Sequence, residues 1–178
     1  YDHPNEAPDG IGCWAESNAV CFANTYTNLV TNRESGLSAL STALTGWAPM
    51  WGLHLEGNRV PNLHVNVNCE LHSETDFSIL GDWIGSQIQP GWDIPFGPMP
   101  FISGLGKSIS FEKRKALTAA AANFGCPMLW LDGISPQPSN EGYLGLIEFT
   151  SEDLQGAYDR LGPKGTVDLV VIGCPQAS

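Results

Sequence analysis

Lysine and arginine are scarce: eight residues of 178, against nineteen aspartates and glutamates, for a formal charge of −11. That shortage argues against nucleic acid or an anionic membrane surface as partner, because both are held through a basic footprint. No apolar run approaches the roughly 20 residues that a membrane-crossing helix needs, and neither a low-complexity tract nor an internal repeat is visible. The five cysteines, Cys13, Cys21, Cys69, Cys126 and Cys174, are odd in number and include no C-x-x-C pair. A disulfide framework is therefore a poor reading, and reduced thiols in the cytoplasm are the expectation. The chain begins Tyr1-Asp2-His3-Pro4, with no Met, basic n-region or apolar h-region, which reads as a processed start or an internal segment of a longer protein. Several chemical signatures are missing as well. There is no nucleophile elbow, no phosphate-cradling glycine loop, and no dinucleotide fingerprint, since Gly104-Leu105-Gly106 lacks the third glycine.

What is present suffices for a packed core: 42% of residues are hydrophobic and 10% aromatic. Apolar residues from Trp14 to about Val30 recur at three- and four-residue spacing and predict a helix, with Glu16 in its first turn. A second helix is predicted from Leu37 to Leu44, stopped by Gly46. Leu63, Val65 and Val67 alternate with His64, Asn66 and Asn68, the period of a half-buried strand, and Phe77 to Ile88 reads as a short helix. Proline and glycine crowd Pro90 to Pro100, marking a loop and an internal boundary. Beyond it, Ser110 caps an alanine-rich helix from Phe111 to Phe124, Pro127 to Leu131 suits a buried strand, and Thr150 or Ser151 caps a helix through Leu161. Val167 to Ile172 is almost continuously apolar, as an interior strand covered on both faces would be. The expected fold class is α/β, a parallel sheet with flanking helices. Its expected organisation is an N-terminal lobe over 1–90 and a parallel α/β lobe over 101–178, or one continuous domain.

Chemistry has few obvious seats. Cys174, in Gly173-Cys174-Pro175, would emerge at the carboxyl end of the last strand, where ligands of open α/β sheets gather and where a thiolate could hold a soft metal or an iron–sulfur cluster. A small hydrophobe closing a strand explains it more simply. Glu16-Ser17-Asn18-Ala19 and Thr31-Asn32-Arg33-Glu34 bring amides, hydroxyls and a guanidinium to one region, groups able to hold a small carboxylate. Taken alone, ordinary helix capping accounts for them, and a turn with a solvated arginine accounts for Asn58-Arg59. His54, His64 and His72 fit no H-x-x-x-H pair and have no acidic cluster beside them, which argues against a histidine metal site.

Read in order, however, these stretches resemble the signature of the aconitase X family. The resemblance rests on Ala15-Glu16-Ser17-Asn18-Ala19-Val20, Phe22-Ala23-Asn24 and Thr31-Asn32-Arg33-Glu34. It continues through Ser38-Ala39-Leu40, Ala43-Leu44-Thr45-Gly46, Gly52-Leu53-His54-Leu55 and Asn58-Arg59. Leu80-Gly81, Ile84-Gly85, Lys115-Ala116-Leu117 and Gly173-Cys174-Pro175 complete it. The resemblance implies a hydro-lyase of the aconitase superfamily, a dehydratase of cis-3-hydroxy-L-proline or of mevalonate 5-phosphate, with the former favoured by the few basic residues. A degenerate, non-catalytic subunit or small-ligand binder is the alternative. It further implies an iron–sulfur cluster held by three cysteines, of which only Cys174 matches, so that none is expected in this stretch alone. A swivelling small domain or subunit is the implied partner. Ser17, Asn18, Asn24, Asn32, Arg33 and Arg59 are the implied contacts to a small-molecule carboxylate substrate, with Cys174 as a metal ligand. The chain departs from the family pattern at Trp47, where Arg is usual, at Leu129-Trp130, where Phe-His is usual, and at Gln176, where His is usual.

Overall fold

Two parallel sheets organise the chain. The computed structural model describes residues 9–88, 94–135, 138, 142, 145–162 and 165–170. Strand β1 (Gly10–Trp14) pairs in parallel with β2 (Leu29–Arg33), with Gly12 opposite Thr31 and Trp14 opposite Arg33, and helix α1 (Ser17–Tyr26) makes the crossover. The helix expected from Trp14 to Val30 is therefore shorter, and strands occupy both ends of that span. The stretch Leu29-Val30-Thr31 continues the apolar spacing of the helix, which hides the change of structure. Helix α2 (Gly36–Thr45) follows, opened by a Ser35–Ser38 capping box and closed by Gly46 in the left-handed conformation, φ 72°. Two single 3-10 turns, Gly52–His54 and Glu56–Asn58, lead out of this region.

The second sheet has the order β5-β4-β3-β6, and every pairing in it is parallel. Its strands are β3 (Leu63–Asn68), β4 (Pro100–Ser103), β5 (Trp130–Leu131) and β6 (Leu146–Thr150). Crossovers run through α3 (Glu74–Ser86) and α4 (Phe111–Asn123), and α5 (Ser151–Leu161) follows β6 under a Thr150–Asp153 capping box. The α/β class with a parallel sheet and flanking helices holds. Since β3 and β4 are neighbours in one sheet, the segment from 94 to 99 connects elements of a single unit, and residues 89–93 lie outside the described part.

Two differences from expectation concern strands. Strand β6, with Leu146 63% exposed at the sheet edge, was not expected: Leu-Ile-Glu-Phe-Thr is only five residues long and runs directly into the cap of α5. The run Val167 to Ile172 is not an interior strand over its described part. Residues 167–170 form no regular structure, and Val167, Leu169 and Val170 are exposed. An apolar run makes a strand only when a neighbouring strand accepts its backbone, and none among the described residues does.

Helices α3 and α4 approach closely because one contributes glycine and the other alanine. A Cβ on Gly81 would stand 2.7 Å from the Leu117 carbonyl oxygen and 2.8 Å from Ala120 Cβ. One core, including Leu63, Val65, Leu80, Ile84, Ile102, Leu117, Leu129 and Phe149, fills the space between these helices and the sheet. Cys21 of α1 belongs to the same core. The Thr25 hydroxyl accepts from the Leu129 N–H at 2.9 Å and the Ser135 hydroxyl donates to the Thr25 carbonyl at 3.0 Å, so α1 is pinned to the second sheet.

Candidate functional site

Parallel strands deliver their carboxyl ends to one side, and loops there meet the amino ends of the following helices. In the first sheet this brings Trp14, Arg33 and the start of α1 together. Trp14 lies opposite Arg33, and the Glu34 N–H donates to the Trp14 carbonyl at 2.9 Å. Ser17 and Asn18 open α1 and are half-buried. Glu16 is not in the first turn, as expected, but is the N-cap itself. Its carboxylate accepts from the N–H groups of Asn18 at 3.0 Å and Ala19 at 2.5 Å, so the positive end of α1 is already neutralised from within. Asn18 in turn accepts from the Thr118 hydroxyl on α4 at 3.0 Å.

Arg33 is exposed and enters no ion pair or side-chain hydrogen bond among the described residues. Arg59 follows the second 3-10 turn; it is half-buried, and its Nε has no hydrogen-bond partner among the described residues. Cys174 falls outside the described residues.

Asn24 and Asn32 are placed differently from the exposed Arg33. The buried Asn24 amide donates to the carbonyls of Thr31 and Pro127, both at 2.9 Å, and its oxygen accepts from the Thr31 N–H at 2.9 Å. All three of its bonds go to backbone, tying α1, β2 and the approach to β5 together. Asn32, also buried, accepts from the Leu53 N–H at 2.7 Å and donates to the Trp51 carbonyl at 3.0 Å. This holds the Gly52–His54 turn over β2. Gly52, at φ 61°, is required for that approach, since a Cβ there would stand 2.4 Å from the Asn32 oxygen.

The Asn32-held turn brings in a group that histidine spacing did not reveal. The Cys13 sulfur on β1, a Glu34 carboxylate oxygen beyond β2 and a His54 ring nitrogen lie within 4.8 Å of one another. The acidic partner missing beside His54 in sequence comes from twenty residues earlier, through strand pairing. Knowing the β1–β2 register would have found it.

A second depression, of about 310 Å³, opens at the carboxyl ends of β3 and β4 between Cys69, His72, Phe77 and Gly104. Beside it, burial opposes ionisation of Asp76, but hydrogen bonds from the Tyr158 hydroxyl, the Ser73 and His72 N–H groups and the Ser73 hydroxyl outweigh it. Together they hold the carboxyl down at about 2. These contacts close the start of α3 onto α5 and are structural. Trp130 lies at the far end of β5, packed with Leu53, Met99 and Met128, with its indole N–H buried and without a partner among the described residues.

Family models of the aconitase X first domain and the aconitase X second domain match residues 1–57 and 61–159. The phosphomevalonate dehydratase large subunit of Methanothermobacter thermautotrophicus is 35% identical over 172 residues, covering 93% of this chain and 40% of that protein. The cis-3-hydroxy-L-proline dehydratase of Pseudomonas aeruginosa is 31% identical, covering 93% of this chain and 29% of that protein. The crystal structure of Thermococcus kodakaraensis aconitase X in its holo form superposes with a TM-score of 0.72 at 30% identity, over 86% of this chain and 39% of that one. The chain thus spans two fifths or less of the length of these relatives. Among the described residues, no helix is long and apolar enough to cross a membrane.

Proposed function

Because the chain belongs to the aconitase X family, we propose that it forms part of a hydro-lyase that eliminates water from a small hydroxy acid. The single observation that carries the site is Arg33: a guanidinium at the carboxyl ends of two parallel strands, exposed, unpaired among the described residues, and next to the opening of α1. In an elimination the C–O bond to the hydroxyl breaks and a proton leaves the neighbouring carbon. Arg33 would grip the substrate carboxylate through two parallel N–H···O bonds. That grip fixes the substrate and offsets the negative charge that builds as the proton departs. Ser17 and Asn18 would add directional hydrogen bonds from the start of α1, and Arg59 a second cation. Asn24 and Asn32 act by holding β2 in place, so they are positioning residues.

The substrate class follows from the relatives, whose names are phosphomevalonate dehydratase large subunit and cis-3-hydroxy-L-proline dehydratase. The named large subunits support a smaller subunit or domain as partner. An iron–sulfur cluster held by three cysteines is also part of the family resemblance, but the described residues do not fit one. Cys21 and Cys126 are buried in the core, where desolvation raises both thiols, Cys126 to about 12, and no three cysteines converge. We therefore route no step through a cluster. A reducing compartment such as the cytosol suits the four described cysteines, all of them free.

The test is Arg33→Lys in the whole enzyme. Lys keeps the charge but loses the fork, so kcat/KM is expected to fall by roughly tenfold to a hundredfold, about 1.4–2.8 kcal/mol, with the melting temperature unchanged. Unaltered kinetics would remove Arg33 from the site, and a fall in melting temperature would make its role structural.

A further inference from the structure

We propose that Cys13, Glu34 and His54 form a binding site for a single divalent cation of the zinc class. Their donor atoms lie within 4.8 Å of one another, and no other trio of histidine, cysteine or acidic side chains converges so closely among the described residues. Cys13 sits on β1 opposite Asn32 of β2, Glu34 follows β2, and the Asn32 amide holds the turn that carries His54. Three separate stretches of sequence are thus brought to one point by backbone pairing and a single buried amide.

The second observation comes from His54 itself. Its residue exposure is only 7%, and carbonyl oxygens face both ring nitrogens: Pro49 at 2.6 Å from Nδ1 and Gly12 at 3.0 Å from Nε2. A neutral imidazole carries one N–H. The Asn32 amide nitrogen also stands 3.4 Å from Nδ1, but the Pro49 carbonyl is nearer, so we assign the proton to Nδ1, which donates to Pro49, the outer hydrogen bond that fixes the tautomer of metal-bound histidines. Nε2 is then left with its lone pair turned toward a carbonyl oxygen, an arrangement that repels unless a positive centre stands beside both. Glu34 makes no ion pair with the ring. One of its oxygens accepts from the Ser38 hydroxyl at 2.6 Å, which leaves the other as a single ligand atom.

A divalent ion satisfies all of these at once. A thiolate and a carboxylate balance its charge, and the Gly12 carbonyl oxygen lies 3.0 Å from Nε2. Zinc takes sulfur at about 2.3 Å and imidazole nitrogen or carboxylate oxygen at about 2.0–2.2 Å, so tetrahedral donors stand roughly 3.3–3.8 Å apart. Closing from 4.8 Å requires a movement of about 1 Å, which rotation of the half-buried Cys13 and Glu34 provides. The sulfur and nitrogen donors select a zinc-class ion over magnesium or calcium, which favour oxygen throughout. Three protein ligands leave the fourth position to water. Glu34 and His54 lie in the motifs that carry the family resemblance, Cys13 stands outside them, and one sulfur is too few for a three-cysteine cluster.

The experiment uses the full chain, reduced and metal-free, titrated with zinc and with cobalt(II). One equivalent is expected to bind, and the cobalt form should show a sulfur-to-metal charge-transfer band together with the d–d bands of a four-coordinate ion. Cys13→Ser should abolish the charge-transfer band, and Cys13→Ser and Glu34→Gln should each weaken binding roughly tenfold or more, with unchanged circular dichroism. Binding that survives Cys13→Ser at equal affinity would overturn the proposal. So would a cobalt spectrum without sulfur charge transfer. Failure to bind, with nitrogen NMR showing both His54 nitrogens protonated, would overturn it as well and identify the positive centre as a proton.

Discussion

Replacing Asn24 by Ala separates the two roles that its side chain could have. If Asn24 contacts a substrate, the variant should bind poorly and fold normally. Its geometry predicts the reverse. Removal of the amide leaves the Thr31 N–H, the Thr31 carbonyl and the Pro127 carbonyl without the partners they now have at 2.9 Å. Each buried backbone group stripped of its partner costs about 1–3 kcal/mol. Water entering the small space would recover part of this, leaving a net loss of about 3–5 kcal/mol, against a total stability of about 5–15 kcal/mol for a domain. Asn24→Asp sharpens the test. It keeps the acceptor for the Thr31 N–H but turns a carboxylate oxygen toward two carbonyls, so at neutral pH it should destabilise at least as much as Ala. Lowering the pH protonates that carboxylate, restores one donor and should recover part of the loss. Urea unfolding of the full chain, with hydrogen exchange at the Thr31 amide, reads both effects. A loss below about 1 kcal/mol for Asn24→Ala would refute the reasoning and return Asn24 to the ligand-binding set.

Two further predictions concern the second sheet and its helices. Gly81→Ala places a methyl 2.7 Å from the Leu117 carbonyl oxygen and 2.9 Å from the Ala121 nitrogen, backbone atoms that cannot turn aside. It should cost about 1–3 kcal/mol by forcing α3 from α4, measured as a lower urea midpoint with an unchanged m-value. The Asp76 carboxyl is held at about 2 against an ordinary 3.8. A depressed value means that its stabilisation is present above the unfolded value and is lost as pH falls toward 2. Tyr158→Phe removes the strongest of its donors, so carbon NMR should show the Asp76 titration moving upward and acid unfolding beginning at higher pH.

Much of the fold was legible because local chemistry agrees with it. The Gly46 stop of α2, the Ser110 cap of α4 and the Thr150 cap of α5 all stand where the sequence placed them. The alternation through Leu63, Val65 and Val67 is β3. What was hidden depended on partners. Strand β1 contains two glycines and acquires its structure by pairing with β2, and β2 continues the spacing of the helix before it. Val167 to Val170 reads as a strand from composition but has no strand beside it among the described residues. The site divides in the same way. An exposed guanidinium such as Arg33 is visible as a candidate from its motif. An asparagine that pins backbone is spelled the same as one that binds a ligand, and only the partners of Asn24 and Asn32 tell them apart. Cys13, Glu34 and His54 lie far apart in sequence, and the β1–β2 register together with Asn32 unites them.

The central claim, that this chain serves a dehydratase of a small hydroxy acid, is tested most directly by one assay. The whole enzyme containing the chain, supplied with the proposed smaller subunit, is incubated separately with mevalonate 5-phosphate and with cis-3-hydroxy-L-proline. Carbon-13 NMR follows loss of the hydroxyl-bearing carbon signal and growth of alkene carbon signals. The account predicts turnover of one of the two, abolished by Arg33→Ala in a protein of unchanged melting temperature. A folded, fully assembled enzyme that dehydrates neither substrate would contradict it.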